Sequence, residues 1–318
     1  MRKLESFLKL TQKELFDLLS KKYRKNALVK EGEYILVKSE APIMLLAHLD
    51  TVHEKSVKSI CKSSDRNILM SPEGIGGDDR CGVYALVKAH EASPIKPWLL
   101  FTCDEEIGCV GADVFATEHS ESKLPKSLDD LKLLIEIDRR GSKDAVYYDC
   151  ANRDFETYIT SKGFVTATGS FSDISVVAPE LGVAAVNLSS GYYNAHTLHE
   201  YINREQLETV IQTVIGIIAD TVKSDFPKYE YIKRARKPVK YSKYGSWKVL
   251  SESVPDDLPT ELAEIYKDLL DIYSKSELES YRKAYGNQIL AYLYDGEYGY
   301  GAYCDEGIKS EWDRWEKQ

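Results

Sequence analysis

Short apolar runs that end in polar or acidic residues recur along the first 225 residues. Runs of this kind are typical of buried strands, and apolar residues at helical spacing follow several of them. The predicted strands are 34–38, 43–49, 98–106, 131–138, 145–149 and 183–189. The predicted helices are 82–92, 109–119, 152–162, 174–182 and 203–223, and another over 11–22 that opens with a capping-box pattern. This alternation predicts an α/β fold of three layers, in which helices cover both faces of a mainly parallel (mixed) sheet.

The composition changes near residue 225, where a tail rich in tyrosine and charge begins. We therefore predict one domain over 1–225, with its core at 41–225, and a C-terminal extension over 226–318. Within the extension, 259–273 has a clear helical pattern. The segment 296–307 is rich in glycine and tyrosine, and we predict it to be surface structure without chemistry.

The net charge of −9, with no block rich in lysine or arginine among the first 225 residues, argues against nucleic acid or an anionic membrane as a partner. The basic segment 233–243 is the exception, and we predict it to be a solvated linker. No apolar run approaches the roughly 20 residues of a membrane span. The N-terminus carries Glu5 and Glu14 and lacks the pattern of a signal peptide. Six scattered cysteines without a C-x-x-C pair indicate reduced thiols, so the expected location is cytoplasmic.

Residues that can bind metal follow the predicted strands at several separate places. Because side chains alternate along a strand, His48 and Asp50 lie on the same face where the strand 43–49 ends. Open α/β sheets bind ligands at the carboxyl ends of their strands, so we expect such groups to converge. The candidates are His48, Asp50, Asp78, Glu105, Glu106, Asp138 and His196. Any one of them alone is more often structural, and it is their joint order that indicates a site.

This set fits the hydrolysis of an amide with the help of two metal ions. The reaction needs an activated water, a base that takes its proton, and positive charge for the developing oxyanion. Two ions roughly 3.5–4 Å apart can supply that charge, and they need a bridging carboxylate. Mixed histidine and carboxylate ligands suit zinc, although cobalt or manganese can occupy similar sites. From the residues alone, three neighbours also compete for ligand roles: Asp79, Glu136 and His199.

Five motifs in this order, HLDT, GIGGDDRCG, TCDEEIGCVGA, EID and GYYNAHTLHE, resemble those of the dinuclear zinc exopeptidases. The resemblance is closest to the peptidase T-like metallopeptidases and covers about residues 41–225. It implies a phosphorylase/hydrolase-like zinc exopeptidase fold and two zinc ions as cofactor. By position it implies three ligands for each ion, namely His48, Asp78 and Asp138 for one and Asp78, Glu106 and His196 for the other.

The register of these motifs selects one residue from each competing pair. It favours Asp78 over Asp79 as the bridging ligand, Asp138 over Glu136, and His196 over His199. The resemblance also implies a cis peptide bond between Asp78 and Asp79.

The same resemblance implies the catalytic roles. Glu105 would be the general base that also returns a proton to the leaving amine, and Asp50 would be the acid behind His48. We therefore predict a metal-dependent hydrolase, most closely an aminopeptidase that removes N-terminal residues from short peptides. The alternatives are an amidohydrolase or carboxypeptidase that acts on N-acyl amino acids or C-terminal residues, and a binding module without catalysis.

The spacing of the motifs departs from the closest relatives. Peptidase T and its relatives insert a dimerising domain between positions that correspond to Asp138 and His196, which are only 58 positions apart here. Another branch inserts a domain between the positions of Asp50 and Asp78, which are 28 positions apart. We therefore expect the compact layout of the aminopeptidase branch, with a single catalytic domain. The sequence indicates neither the substrate-binding residues nor the oligomeric state.

Overall fold

The structure, a computed structural model, covers most of the first 234 residues and parts of the remaining chain. The described residues are 3–53, 55–169, 171–234, 255, 257–270, 273, 275–287, 289–290 and 293–294. The chain divides into two compact units, Met1–Ala235 and Arg236–Gln318. The segment 296–307 and most of the basic segment 233–243 lie outside the described residues.

An eight-stranded sheet forms the centre of the first unit. The strands of this unit are β1 (Ala27–Lys30), β2 (Tyr34–Val37), β3 (Ile43–His48), β4 (Cys61–Lys62), β5 (Ile68–Met70), β6 (Trp98–Thr102), β7 (Leu133–Arg139), β8 (Asp144–Val146), β9 (Val165–Ala167), β10 (Ala185–Ser189), β11 (Tyr192–Tyr193) and β12 (Tyr201–Asn203). The large sheet has the order β1-β2-β6-β3-β7-β10-β8-β9, and a smaller one has the order β11-β12-β5-β4. Neighbours among β6, β3, β7 and β10 run parallel, whereas β2 pairs with β6 and β8 with β10 in antiparallel fashion. The predicted mixed sheet is confirmed.

Helices cover both faces of the large sheet. The helices of the first unit are α1 (Leu4–Leu8), α2 (Gln12–Tyr23), α3 (Gly77–Ala92), α4 (Val110–Ser120), α5 (Arg153–Ser161), α6 (Asp173–Leu181) and α7 (Arg204–Thr221). One buried cluster joins α1, α2, α3, α5 and α7 to strand residues such as Leu45 and Ile135. A second joins α4 and α6 to Leu46 and Leu134. Successive strand residues thus face opposite layers, and the predicted three-layer architecture is confirmed.

The structure differs from the predicted elements where the local pattern is weak. The predicted strand 98–106 is wrong at its end, because β6 stops at Thr102 and Glu105 and Glu106 lie in the turn beyond it. The pattern also does not predict β1 and β12, which are held by pairing with β2 and β5. Such short strands depend on their neighbours more than on their own residues.

The start of α3 brings two aspartates against the sheet. Asp78 and Asp79 have non-helical backbone angles, and the peptide bond between them is cis, which confirms the prediction. Asp79 then accepts a hydrogen bond from the backbone N–H of Gly82 at 2.9 Å and so caps the regular part of the helix. A Cβ atom on Gly82 would lie 2.1 Å from the carbonyl oxygen of Ile137, so only glycine lets α3 lie this close to β7.

The second unit contains two described helices, α8 (Thr260–Leu269) and α9 (Lys275–Tyr285). The helical stretch predicted over 259–273 is confirmed over Thr260–Leu269, the extent of α8. The apolar residues buried together in this unit are Ile265, Tyr266, Leu269, Leu278 and Leu290. Within the described ranges of the whole chain, no helix is long and apolar enough to cross a membrane.

Candidate metal centre

Three neighbouring strands and two further segments bring the candidate residues together. β3 lies between β6 and β7, and all three run parallel, so their carboxyl ends meet at one edge of the sheet. Open α/β sheets bind their ligands at this edge. The contributing segments are the end of β3 with His48 and Asp50, the turn after β6 with Glu105 and Glu106, the end of β7 with Asp138, the start of α3 with Asp78, and the loop between β11 and β12 with His196.

His48 is fully buried and lies at the centre of this cluster. Its Nδ1 lies 3.1 Å from Oδ1 of Asp50. Its Nε2 lies 3.1 Å from Oδ1 of Asp78 and 3.5 Å from Oδ1 of Asp138. Oε2 of Glu105 lies 4.0 Å from the same nitrogen. One ring nitrogen is therefore held by a carboxylate, which leaves the other facing three acids.

His196 joins the cluster from the loop between β11 and β12. Its Nε2 lies 3.2 Å from Oδ2 of Asp78 and 3.2 Å from Oε2 of Glu106. Asp78 therefore contacts a different histidine with each of its carboxylate oxygens. His196 and His199 are both exposed residues of this loop, so it is the contacts with Asp78 and Glu106 that identify His196 as the histidine that the structure brings to these acids.

Asp78 and Asp79 both lie within reach of possible metal positions. The ligand atoms of His48, Asp78 and Glu106 all lie within 4.8 Å of one another, and so do those of His48, Asp79 and Asp138. The second group has Asp79 where the family resemblance implies Asp78. However, one oxygen of Asp79 already caps α3, whereas Asp78 faces both histidines. Asp78, and not Asp79, is therefore the aspartate that lies between the two histidines.

Asp50 holds more than the imidazole of His48. Its Oδ1 accepts a hydrogen bond from the backbone N–H of Glu105 at 3.1 Å, and its Oδ2 accepts one from that of Glu106 at 3.0 Å. Burial alone would raise the pKa of Asp50, and the hydrogen bonds from His48 and the two amides lower it. The motif spacing predicts only the contact between Asp50 and His48. The contacts with the amides of Glu105 and Glu106 form because the sheet brings the turn after β6 close to Asp50.

Asp138 is held by neutral groups that the motifs do not predict. Asn187 on β10 accepts a hydrogen bond from the backbone N–H of Asp138 at 2.9 Å and donates one to its carbonyl oxygen at 3.1 Å. The hydroxyls of Ser172 and Tyr192 each donate to the Asp138 carboxylate at 3.2 Å. The signal that could have revealed part of this network is the lone asparagine inside the apolar run 183–189.

Two other acids, Glu136 and Asp173, are fully buried near Asp138. Glu136 lies two residues before Asp138, on the same face of β7. Asp173 accepts a hydrogen bond from the hydroxyl of Thr102. Within the described ranges, neither carboxylate oxygen of Glu136 has a hydrogen-bond partner. Burial, and then the charge of Asp138, raise the pKa of Glu136, so its uncharged form is favoured.

Arg80 ties the start of α3 to the chain around Asp50. Its buried guanidinium donates to the carbonyl oxygen of Leu49, to that of Asp50 at 2.8 Å and to that of Leu10 at 3.1 Å. The segment that follows β3 is thus held on its backbone side by Arg80. The Asp50 side chain is therefore free to hold the groups of the cluster.

The groups of the cluster shift one another's pKa. Burial raises the pKa of Glu105 to about 9 and, with the negative charge of Asp78, that of Asp138 to about 7. Hydrogen bonds to Asp78 and Glu106 raise the pKa of His196 to about 11. These directions indicate more negative charge than the two histidines balance. A divalent cation would displace the retained protons and balance that charge.

The residues present fit a divalent metal. Imidazole and carboxylate donors without thiolate suit zinc, and cobalt and manganese also accept such ligands. Two carboxylate oxygens in the cluster, Oε1 of Glu106 and Oδ2 of Asp79, are buried without a hydrogen-bond partner among the described residues. Unpartnered buried oxygens are costly unless something else interacts with them, and a cation would do so.

No family model matches the sequence, and a search of curated proteins also finds no match. Solved structures match the fold. A tripeptidase from Staphylococcus aureus has a TM-score of 0.52 at 14% identity, covering 69% of this chain and 96% of that one. An aminopeptidase from Bacillus cereus has a TM-score of 0.52 at 15% identity, with coverage of 69% and 97%. An aminopeptidase from the archaeon Desulfurococcus kamchatkensis has a TM-score of 0.51 at 14% identity, with coverage of 68% and 93%. The chain therefore has the α/β fold of these three peptidases, as the resemblance of its motifs implies.

Proposed function

We propose that the first unit is a metal-dependent hydrolase, and specifically an aminopeptidase that removes N-terminal residues from short peptides. The proposal depends on one observation above all: two histidines and five carboxylates from five separate segments converge on one cluster. The solved structures with this fold are named as a tripeptidase and two aminopeptidases, which supports a peptide substrate. Within this unit we assign the activity to residues 1–225, and we treat 226–318, whose first ten residues belong to the first unit, as an extension.

Two zinc ions would be held by residues of the cluster, and cobalt or manganese could take their place. The proposed ligands are His48, Asp78 and Asp138 for one ion and Asp78, Glu106 and His196 for the other. When bound, such ions supply positive charge for the developing oxyanion and lower the pKa of a water molecule.

Glu105 is the proposed general base. Its carboxylate is buried and lies 4.0 Å from Nε2 of His48. It takes the proton of the attacking water and then gives that proton to the leaving amine. A carboxylate whose pKa is raised by burial is a stronger base than an exposed one, and its protonated form is a suitable acid near neutral pH.

Asp50 is the proposed positioning acid. Because Asp50 holds Nδ1 of His48, the metal would bind at Nε2, the nitrogen that faces Asp78 and Asp138. Asp50 also accepts hydrogen bonds from the backbone amides of Glu105 and Glu106. These hydrogen bonds set the position of the turn that carries both residues.

A screen of aminoacyl and short peptide substrates, each with added zinc, cobalt or manganese, tests the proposed function. We expect release of the N-terminal residue from peptides with a free amine and no cleavage of the same peptides after N-acetylation. Cleavage of the N-acetylated peptides alone would instead support an N-acyl amino acid hydrolase or a carboxypeptidase. A protein that binds no metal and cleaves none of the peptides would contradict the proposal and support a binding module.

A further inference from the structure

We propose that Glu200 is a positioning residue that joins the start of α3, which carries Asp78, to the loop that carries His196. This inference rests on the proposed function, which assigns Asp78 and His196 as ligands of the same ion. It adds a residue outside the seven that the motifs predict.

Glu200 is fully buried, and both of its carboxylate oxygens are engaged. Its Oε1 accepts a hydrogen bond from the backbone N–H of Asp78 at 2.9 Å. Its Oε2 accepts one from the backbone N–H of Gly76 at 3.0 Å and lies 2.9 Å from Nε2 of His53. An ionised carboxylate only accepts hydrogen bonds, so it can satisfy all three of these donors at once. The main chain of Asp78 is therefore held directly by Glu200.

Glu200 also ends the short segment that carries His196. Its own backbone N–H donates to the carbonyl oxygen of Thr197 at 3.1 Å, and the hydroxyl of Thr197 donates to that of Asn194 at 2.8 Å. Asn194 and His196 both have positive φ, as residues of a tight turn do. Because this turn is closed by its own hydrogen bonds, anchoring Glu200 also limits where His196 can lie.

The backbone around Gly77 shows how closely the two loops approach. A Cβ atom on Gly77 would lie 2.8 Å from Cβ of Tyr192, 2.9 Å from Cγ1 of Ile202 and 3.1 Å from Oε1 of Glu200. Glycine at this position lets the loop lie directly against β11 and β12. At this distance the Glu200 carboxylate reaches the amides on both sides of Gly77. The close contact between this loop and the segment from β11 to β12 therefore depends on glycine at position 77.

The variant Glu200→Gln separates positioning from general support of the fold. Glutamine has the same length, but its side-chain nitrogen is a hydrogen-bond donor. This nitrogen must face at least one of the three groups that now donate hydrogen bonds to Glu200. We expect faster hydrogen exchange at the amide of Gly76 or Asp78, measured without added metal. We also expect zinc affinity, measured by competition with a chelator, to fall about 10–100-fold, as is usual when a residue that supports a ligand is changed.

The matched control is Glu118→Gln. Glu118 on α4 accepts hydrogen bonds from Lys30 and Tyr34 and is not among the cluster residues. We expect this variant to keep the zinc affinity of the unaltered protein. If Glu200 only supports the fold, Glu200→Gln will lower the unfolding temperature and leave the zinc affinity and the two amides unchanged. That result would overturn the inference.

If Glu200→Gln does not fold, His53→Phe provides the second test. This change removes one of the three donors and leaves the contact between Oε1 and the amide of Asp78. We expect zinc affinity to fall about threefold, the effect of one ordinary hydrogen bond. Unchanged affinity in this variant would contradict the role of Glu200.

The two proposals fail in different ways. If the unaltered protein binds no zinc and cleaves no peptide, the proposed function is wrong. If the unaltered protein binds zinc and cleaves peptides, but Glu200→Gln matches it in affinity and amide exchange, only the inference about Glu200 is wrong.

Discussion

Asp50 and Glu200 hold two parts of the cluster with the same set of contacts. Each carboxylate accepts hydrogen bonds from two backbone amides and contacts one histidine. The groups involved are Glu105, Glu106 and His48 for Asp50, and Gly76, Asp78 and His53 for Glu200. The difference lies in what is held. Asp50 holds the proposed base and the proposed histidine ligand His48, whereas Glu200 holds the backbone of Asp78, the proposed bridging ligand.

This difference predicts that changes at Asp50 and changes at Glu200 will affect the activity in different ways. Changes on the Asp50 side should affect proton transfer as well as metal binding, because the position of Glu105 depends on Asp50. Changes on the Glu200 side should act mainly through metal binding, because Asp78 and His196 are both proposed ligands. Three variants test this difference and a fourth tests the support of Asp138, and we begin with the variant for which we expect the largest effect.

Glu105→Gln removes the proposed base and keeps its shape. We expect kcat to fall about 1,000-fold or more, since a positioned general base typically contributes 10²–10⁴-fold. Zinc content, measured by elemental analysis, should stay that of the unaltered protein because Glu105 is not a proposed ligand. A variant that retains full activity would contradict the role of Glu105.

His196→Gln tests the ligand on the Glu200 side. We expect zinc affinity to fall more than about 100-fold, beyond the range usual for residues that only support ligands. His199→Gln is the matched control, because His199 is a second exposed histidine of the same loop and is not a proposed ligand. Chelator competition on both variants checks this expectation. A larger loss in His199→Gln than in His196→Gln would mean that the ligand assignment is reversed.

Asp50→Asn tests the other side. The side-chain nitrogen of asparagine would face one of the three groups that now donate hydrogen bonds to Asp50. We therefore expect zinc affinity to fall about 10–100-fold. At saturating zinc, kcat should remain lower than in Glu200→Gln, because the turn carrying Glu105 is also released. Asp113→Asn, at an exposed position of α4, is the control. Equal kcat values for Asp50→Asn and Glu200→Gln at saturating zinc would remove the proposed difference between the two sides.

Ser172→Ala tests a third kind of support and should have the smallest effect. The Asp138 carboxylate accepts hydrogen bonds from the hydroxyls of Ser172 and Tyr192, its carbonyl oxygen accepts one from Asn187, and this change removes the first of them. We expect zinc affinity to fall about threefold, as for one neutral hydrogen bond. A loss as large as that of Asp50→Asn would show that the hydroxyl matters as much as the buried charge.

The sequence predicts those features that are determined by residues close together in the chain. The run that becomes β3 is apolar up to His48, and the run that becomes β7 has only Glu136 among its apolar residues before Asp138, so both strands and the polar residues at their ends can be identified. Asp50 can be assigned to His48 because only one residue separates them along a strand. The same local reasoning extends the strand that becomes β6 too far, since no pattern within 98–106 marks the turn after Thr102.

Contacts between distant segments explain the rest. β12 exists because it pairs with β5, a strand more than a hundred residues earlier in the chain. Glu200 reaches Asp78 only after that pairing brings its loop to the start of α3. Likewise, the contact between Thr102 and Asp173 depends on how α6 packs on the sheet. Short strands and buried polar contacts of this kind leave little signal in their own residues.

Arg80 shows that the part of the chain needed for stable folding is longer than the part that carries the motifs. A shortened chain beginning at residue 41 would retain all five motifs. It would lose the Leu10 carbonyl that the buried Arg80 guanidinium now uses as an acceptor. A buried donor without its acceptor costs about 1–3 kcal/mol, and this one lies beside Asp50. A shortened form of the proposed catalytic unit should therefore keep the N-terminal segment that contains Leu10, although no motif lies within that segment.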